Sequence, residues 1–109
     1  MAKAKAKTIK SAAMKSLEKA AGGPLTLGRM LQSIRLGDEL SLEAFAGKLH
    51  VTRAYLCDIE RGRRGVSVER AAAWAKALGY HPKQFVQLAL QEQVDAAGLR
   101  LHVDVEGAA

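Results

Sequence analysis

A single cysteine, Cys57, in a chain of 109 residues excludes an internal disulfide and fits a reducing cytoplasm. No apolar run approaches the ~20 residues needed to span a bilayer. The N-terminus alternates Lys with Ala around no apolar segment, so it does not read as a secretory signal. Catalytic patterns are lacking as well. His50, His81 and His102 fall on a turn, a helix entry and a presumed strand, with no second ligand at metal-binding spacing. No glycine-rich phosphate loop follows a strand, no Ser or Cys nucleophile sits in a recognisable motif, and no carboxylates pair as in a cleft. These absences argue against a membrane span, a metal or cofactor site and an enzyme. They leave a small cytoplasmic binding module, one domain with a modest core and appendages.

Charge is what the chain has most unevenly. Lys and Arg outnumber Asp and Glu by 17 to 11, but residues 1–24 hold six lysines and one glutamate, a net of +5 that leaves +1 of the total +6 for the rest. A basic face on the folded part must therefore come from arrangement. Residues 1–23 read as a flexible basic arm. Its lysines are spread around any helix that forms, and Ile9, Ala13, Leu17 and Ala20 make only a weak stripe before Gly22-Gly23-Pro24 ends it. Such an arm reads as a solvated, partly disordered tail, as a run of cations along phosphates or in a minor groove, or as both.

The organising stretch is residues 40–62. Leu42, Phe45, Ala46 and Leu49 fall at helical spacing, and Leu56 and Ile59 do so again after an interruption. Ser41 and Thr52 are suited to cap the two short helices, because each hydroxyl accepts from a backbone N–H group a turn later. With only Leu49, His50 and Val51 between them, the helices must cross steeply around the small Ala46, which is helix-turn-helix geometry.

These residues resemble the Cro and phage-repressor type of helix-turn-helix DNA-binding domain, the lambda-repressor-like or XRE family. Ala46, Val51, Leu56, Ile59 and the Ile-Glu-Arg-Gly run at 59–62 occupy its small, apolar and Glu-x-Gly positions, and the likeness covers about residues 27–80. Two positions depart from the pattern: His50 stands where the family usually has Gly, and Leu42 where many members have Gln. Histidine tolerates a left-handed backbone better than most residues, so the turn is expected to survive. The loss of Gln removes a contact to phosphate or base. The resemblance implies an all-α, five-helix fold over residues 24–97 that binds double-stranded DNA. It assigns base contact to Arg53, Ala54, Cys57 and Asp58, and phosphate contact to Thr52, Tyr55 and Arg61. It also implies an ion pair between Arg35 and Glu60; placing Arg35 on phosphate instead would leave Glu60 without a partner.

The chemistry of these side chains agrees with such roles. The forked donors of Arg53 match O6 and N7 of guanine, and the methyl of Ala54 suits thymine. Asp58 either accepts from cytosine N4 or pairs with Arg61 or Arg53 on the surface. Cys57 is either a redox sensor or a small neutral filler on the groove-facing side. Arg61, Arg63 and Arg64 surround Gly62 directly after the recognition helix, where phosphate anchoring is favoured over a merely solvated cluster.

The flanking helices follow the same period. Leu27, Met30, Leu31, Ile34 and, at the end, Leu36 mark a first helix at about 26–36, and Val68, Ala71, Ala72, Trp74, Ala75 and Leu78 the buried face of one opened by Ser67. Trp74 reads as core. The last helix, entered at Pro82 and running to about 97, carries Phe85, Leu88 and Ala89 on one face and Val86, Leu90, Val94 and Ala97 on a second. The second stripe suggests a dimer interface. In the segment 98–109, Leu99, Leu101, Val103 and Val105 alternate with polar residues as in a half-buried strand. With no partner strand in the chain, it is expected to pair antiparallel with its copy near His102; the alternative is a frayed tail.

The expected protein is thus a homodimeric transcriptional regulator, a repressor, at a pseudo-palindromic operator. Two alternatives stay open: an antitoxin that represses its own operon and holds a toxin, and a protein-interaction adaptor that kept the fold without DNA binding.

Overall fold

The structure is a computed structural model that describes residues 25–107. The basic arm of residues 1–23 lies outside the described residues. Five α-helices follow one another: α1 Leu27–Gly37, α2 Leu42–Leu49, α3 Arg53–Glu60, α4 Val68–Ala77 and α5 Pro82–Ala96.

Each start is set by a side chain that satisfies a backbone donor the helix itself leaves free. Thr26, Ser41, Thr52 and Ser67 accept from the N–H groups of Arg29, Ala44, Tyr55 and Arg70, each at 3.1 Å. At α5 the cap is His81, whose Nδ1 accepts from Lys83 N–H at 3.1 Å, with Pro82 in the first turn. The end of α2 is the hinge of the motif. His50 takes the left-handed conformation, φ 59° and ψ 43°, and Val51 N–H donates back to the Ala46 carbonyl at 3.0 Å. The turn expected to survive without glycine does so.

A single core lies between the helices. Phe45, Leu31, Leu56, Phe85, Ala71 and Ala75 are fully enclosed, with Trp74 beside them at 5% exposure, as its apolar register predicts. α1 meets α3 through Gly28. A Cβ built there would stand 2.0 Å from the Ile59 carbonyl oxygen, so glycine alone admits this approach of helix to backbone. Glu92 of α5 reaches the start of α1 and accepts from Leu27 N–H at 2.8 Å, which ties the first helix to the last.

The C-terminal segment corrects one expectation. Among the described residues there is no β-strand, and residues 101–105 are bonded to α5 instead. Gln91 Nε2 donates to the Leu101 carbonyl at 2.9 Å, while its Oε1 accepts from Val103 N–H at 2.7 Å. One turn earlier, Gln87 Oε1 accepts from Val105 N–H at 3.3 Å. A glutamine carries both a donor and an acceptor, so two of them satisfy backbone groups that the alternating pattern assigns to another strand. Val103 and Val105 are half-buried, whereas Leu99 and Leu101 stay 51% and 60% exposed.

Candidate nucleic-acid interface

The short helix α3 turns Leu56 and Ile59 into the core and the carboxylate-bearing Glu60 toward α1. Helical period then sends Arg53, Ala54, Cys57, Asp58 and Arg61 to the opposite side. Arg53, Ala54 and Arg61 are exposed, and Cys57 and Asp58 are half-buried. Thr52, at the cap, and Tyr55, half-buried, border this face. Arg63 and Arg64 follow on an exposed loop begun by Gly62, whose φ of +78° is a conformation glycine takes at no steric cost. All nine residues thus occupy one continuous surface along α3 and the loop after it.

Rigidity comes from beneath. Arg35 Nε donates to Glu60 Oε2 at 2.9 Å and its Nη2 to Glu60 Oε1 at 3.1 Å, a two-bond fork. A third bond from Arg35 Nη1 to the Leu40 carbonyl, 3.1 Å long, holds the α1–α2 turn to the same guanidinium. The pair is largely withdrawn from water, with 13% and 4% of the two side chains exposed. Bonding to the carboxylate holds Arg35 protonated above its ordinary range, against the opposing effect of burial. Arg35 thus directs its guanidinium into the fold, onto Glu60 and the Leu40 carbonyl.

Two contacts differ from the sequence reading. Asp58 faces Arg63, at 3.6 Å, and neither Arg61 nor Arg53; Arg63 is exposed and the Asp58 side chain keeps 38% of its surface open, so this is a loose surface pair. Arg70, outside the expected set, reaches from the first turn of α4 and donates to the Tyr55 hydroxyl. Arg64 lies over the ring of the same tyrosine, 4.8 Å from its centroid. Motif spacing gave no hint of Arg70, because it belongs to the next helix and meets α3 only through tertiary packing. Beside it, Lys48, His50, Ser67 and Trp74 line an open concavity of about 450 Å³.

No group of three or more His, Cys, Asp or Glu residues is placed to hold a metal among the described residues. Nor is any described helix long and apolar enough to cross a membrane.

An all-helical domain whose capped helices α2 and α3 meet through a short turn with a left-handed His50 has the form of a helix-turn-helix domain. A family model described as helix-turn-helix matches residues 31–85, just over half of the chain, and the chain belongs to this family, the Cro/C1 type of DNA-binding transcription regulator. A curated relative, the control protein C.BamHI of Bacillus amyloliquefaciens, is 38% identical over 63 residues, which make up 57% of this chain and 78% of the relative. A similar solved structure is that of the clp gene regulator ClgR from Corynebacterium glutamicum, with a TM-score of 0.49 and 32% identity over 66% of this chain and 77% of that one.

Proposed function

We propose that the chain is a sequence-specific, double-stranded DNA-binding repressor that acts as a homodimer on a pseudo-palindromic operator. The observation that carries this reading is the continuous surface of α3 and its loop, with Arg53, Ala54, Cys57 and Asp58 outward and cations on the rim, braced by Arg35 and Glu60. In this reading α3 enters a major groove. Arg53 reads guanine through its two-pronged donors, and Thr52, Tyr55, Arg61, Arg63 and Arg64 fix the register on phosphates. The basic arm of residues 1–23 adds salt-dependent affinity without sequence preference. The name of the C.BamHI relative, a control protein, agrees with a regulatory role.

Dimerisation rests on the second stripe of α5 and the tail. Val86, Leu90 and Val94 are half-buried, and Leu99 and Leu101 offer apolar surface to a second copy. Val103 and Val105 contribute less than the sequence suggests, since their N–H groups are engaged by the protomer's own Gln91 and Gln87. Two copies would present their α3 helices to half-sites about 34 Å apart.

The test is selection of bound duplexes from a random pool, followed by anisotropy titrations on the selected and a scrambled duplex. A palindromic consensus bound two protomers to one site is the expected result. Arg53→Ala should weaken the selected duplex by about 1 to 3 kcal/mol and relax one base position in each half-site. Equal loss on both duplexes would remove Arg53 from base recognition, and no enriched sequence would overturn the reading.

A further inference from the structure

Tyr55 stands between two arginines that come from different parts of the chain. Arg64, from the loop, lies over its ring with Cζ 4.8 Å from the centroid. Arg70, from α4, donates Nη1 to its hydroxyl, and the same guanidinium lies 6.0 Å from the Trp74 ring centroid. The backbone of Arg70 is fixed as well, because its N–H is the one that Ser67 caps. Both arginines are exposed, and among the described residues neither has a carboxylate within ion-pair distance. Arg63 next door differs, being drawn to Asp58.

An aromatic face attracts a cation without neutralising it. A hydroxyl occupies one of the five donors of a guanidinium and leaves the others. Two positive groups held around one ring therefore keep their charge and most of their donors, in fixed orientation. The ligand that fits is a tetrahedral oxyanion, which the planar fork of arginine meets with two parallel bonds. Tyr55 borders the outward face of α3, so the anion lies beside whatever that face touches.

We propose that Arg64 and Arg70 form a clamp for one phosphate of the DNA backbone, with Tyr55 as its positioning residue. The inference rests on the DNA-binding reading above and changes two assignments within it. Arg70 becomes a phosphate ligand, although it lies outside the motif. Tyr55 acts chiefly through the arginines it orients.

The test uses the full chain, on the selected and the scrambled duplex, with affinity measured over a series of salt concentrations. Arg70→Gln is expected to weaken both duplexes to a similar extent and to reduce the magnitude of the salt slope by less than the ~0.9 of a whole phosphate contact, because Arg64 still faces that phosphate; Arg64→Gln and Arg70→Gln together should remove about 0.9. Tyr55→Phe keeps a ring beside both Arg64 and Arg70, whose Cζ lies 5.2 Å from its centroid, but removes the hydroxyl that accepts from Arg70. It should reproduce part of the Arg70→Gln loss and add nothing when combined with it. A purely structural role for Tyr55 would lower the thermal midpoint and leave the salt slope alone. Wild-type slope in Arg70→Gln, or full additivity of the two substitutions, overturns the clamp. Free inorganic phosphate that competes at low concentration would indicate a small-anion site in place of a DNA contact, and would overturn it too. Arg53→Ala, run in parallel, separates the failures: lost base preference there with an inert Arg70→Gln sinks the clamp alone, whereas a wild-type protein that binds no duplex sinks both readings.

Discussion

Arg35 and Glu60, 25 positions apart, are joined by two bonds of 2.9 and 3.1 Å that fasten the C-terminal end of α3 to α1. Removing one member strands the other in a poorly hydrated site. Glu60→Leu leaves a guanidinium without its counter-charge, and Arg35→Met leaves a carboxylate in the same state while also freeing the Leu40 carbonyl. Each single change is expected to cost about 3 to 5 kcal/mol. The double variant should be less damaged than either single one, since no unpaired charge remains. Urea unfolding of the four proteins checks this, and equal or greater loss in the double variant would show that the pair contributes more than mutual neutralisation.

A smaller group, the hydrogen of Gly28, matters as much to the placing of α3. In an exposed helix position Gly→Ala gains up to about 1 kcal/mol of helix propensity. At Gly28 the added methyl would meet the Ile59 carbonyl oxygen at 2.0 Å and its carbon at 3.0 Å, and backbone cannot rotate aside as a side chain would. Overpacking then outweighs propensity, with a net loss of about 1 to 3 kcal/mol. The thermal midpoint should fall by roughly 4 to 8 °C for each of those. Gly37 in the same helix has open space around its missing Cβ and serves as the control, unchanged or slightly stabilised as alanine. If both variants melt alike, the close approach is not what limits position 28.

Much of this architecture was legible because the signals are local. A hydroxyl three residues before an N–H makes a cap, and Thr26, Ser41, Thr52 and Ser67 all lie where the apolar period begins. The five helices follow from that and from the 3.6-residue repeat. Contacts that depend on which elements meet were not legible. Gly28 carries no periodic mark, and the partnership of Arg70 with Tyr55 needs α4 to be placed beside α3. The tail shows the limit most plainly. Alternation from Leu99 to Val105 specifies an extended chain with one apolar face, but not what its backbone bonds to, and the glutamines that take that role look like ordinary polar residues on α5.

Gln91 therefore offers a direct probe of the tail. Its amide touches Leu101 and Val103 at once, and also the Asp95 carboxylate at 2.9 Å. Gln91→Ala removes all three bonds without disturbing the core face of α5. Amide hydrogen exchange at Val103 should speed up by roughly tenfold or more, as expected when an exposed backbone bond is freed to open locally, while exchange in α1 to α4 stays the same. Unchanged protection at Val103 would mean that apolar burial, not glutamine, holds the segment.

The last relationship is a carboxylate at a helix start. Glu92 Oε2 accepts from Leu27 N–H at 2.8 Å, and a negative charge there suits the dipole of α1. Even so, burial pushes the Glu92 carboxyl above its ordinary 4.5, the nearby charge of Asp95 adds to the shift, and the Leu27 bond only partly opposes it. A carboxyl raised in the folded state holds its proton more tightly there than in the unfolded chain. Just above 4.5 the native protein therefore binds more protons than the unfolded one, so this group's contribution to stability falls as pH rises through that window. Above its folded value the cost of keeping the group ionised persists in full. Glu92→Gln retains an acceptor for Leu27 N–H and cannot ionise. Its stability relative to wild type should improve from acidic to neutral buffer, with the gain confined to the window in which Glu92 loses its proton. Thermal midpoints of the two proteins across that range decide the matter: a constant difference would mean that Glu92 ionises alike in the folded and unfolded chain, and a difference of opposite slope would mean that the bond to α1 outweighs burial.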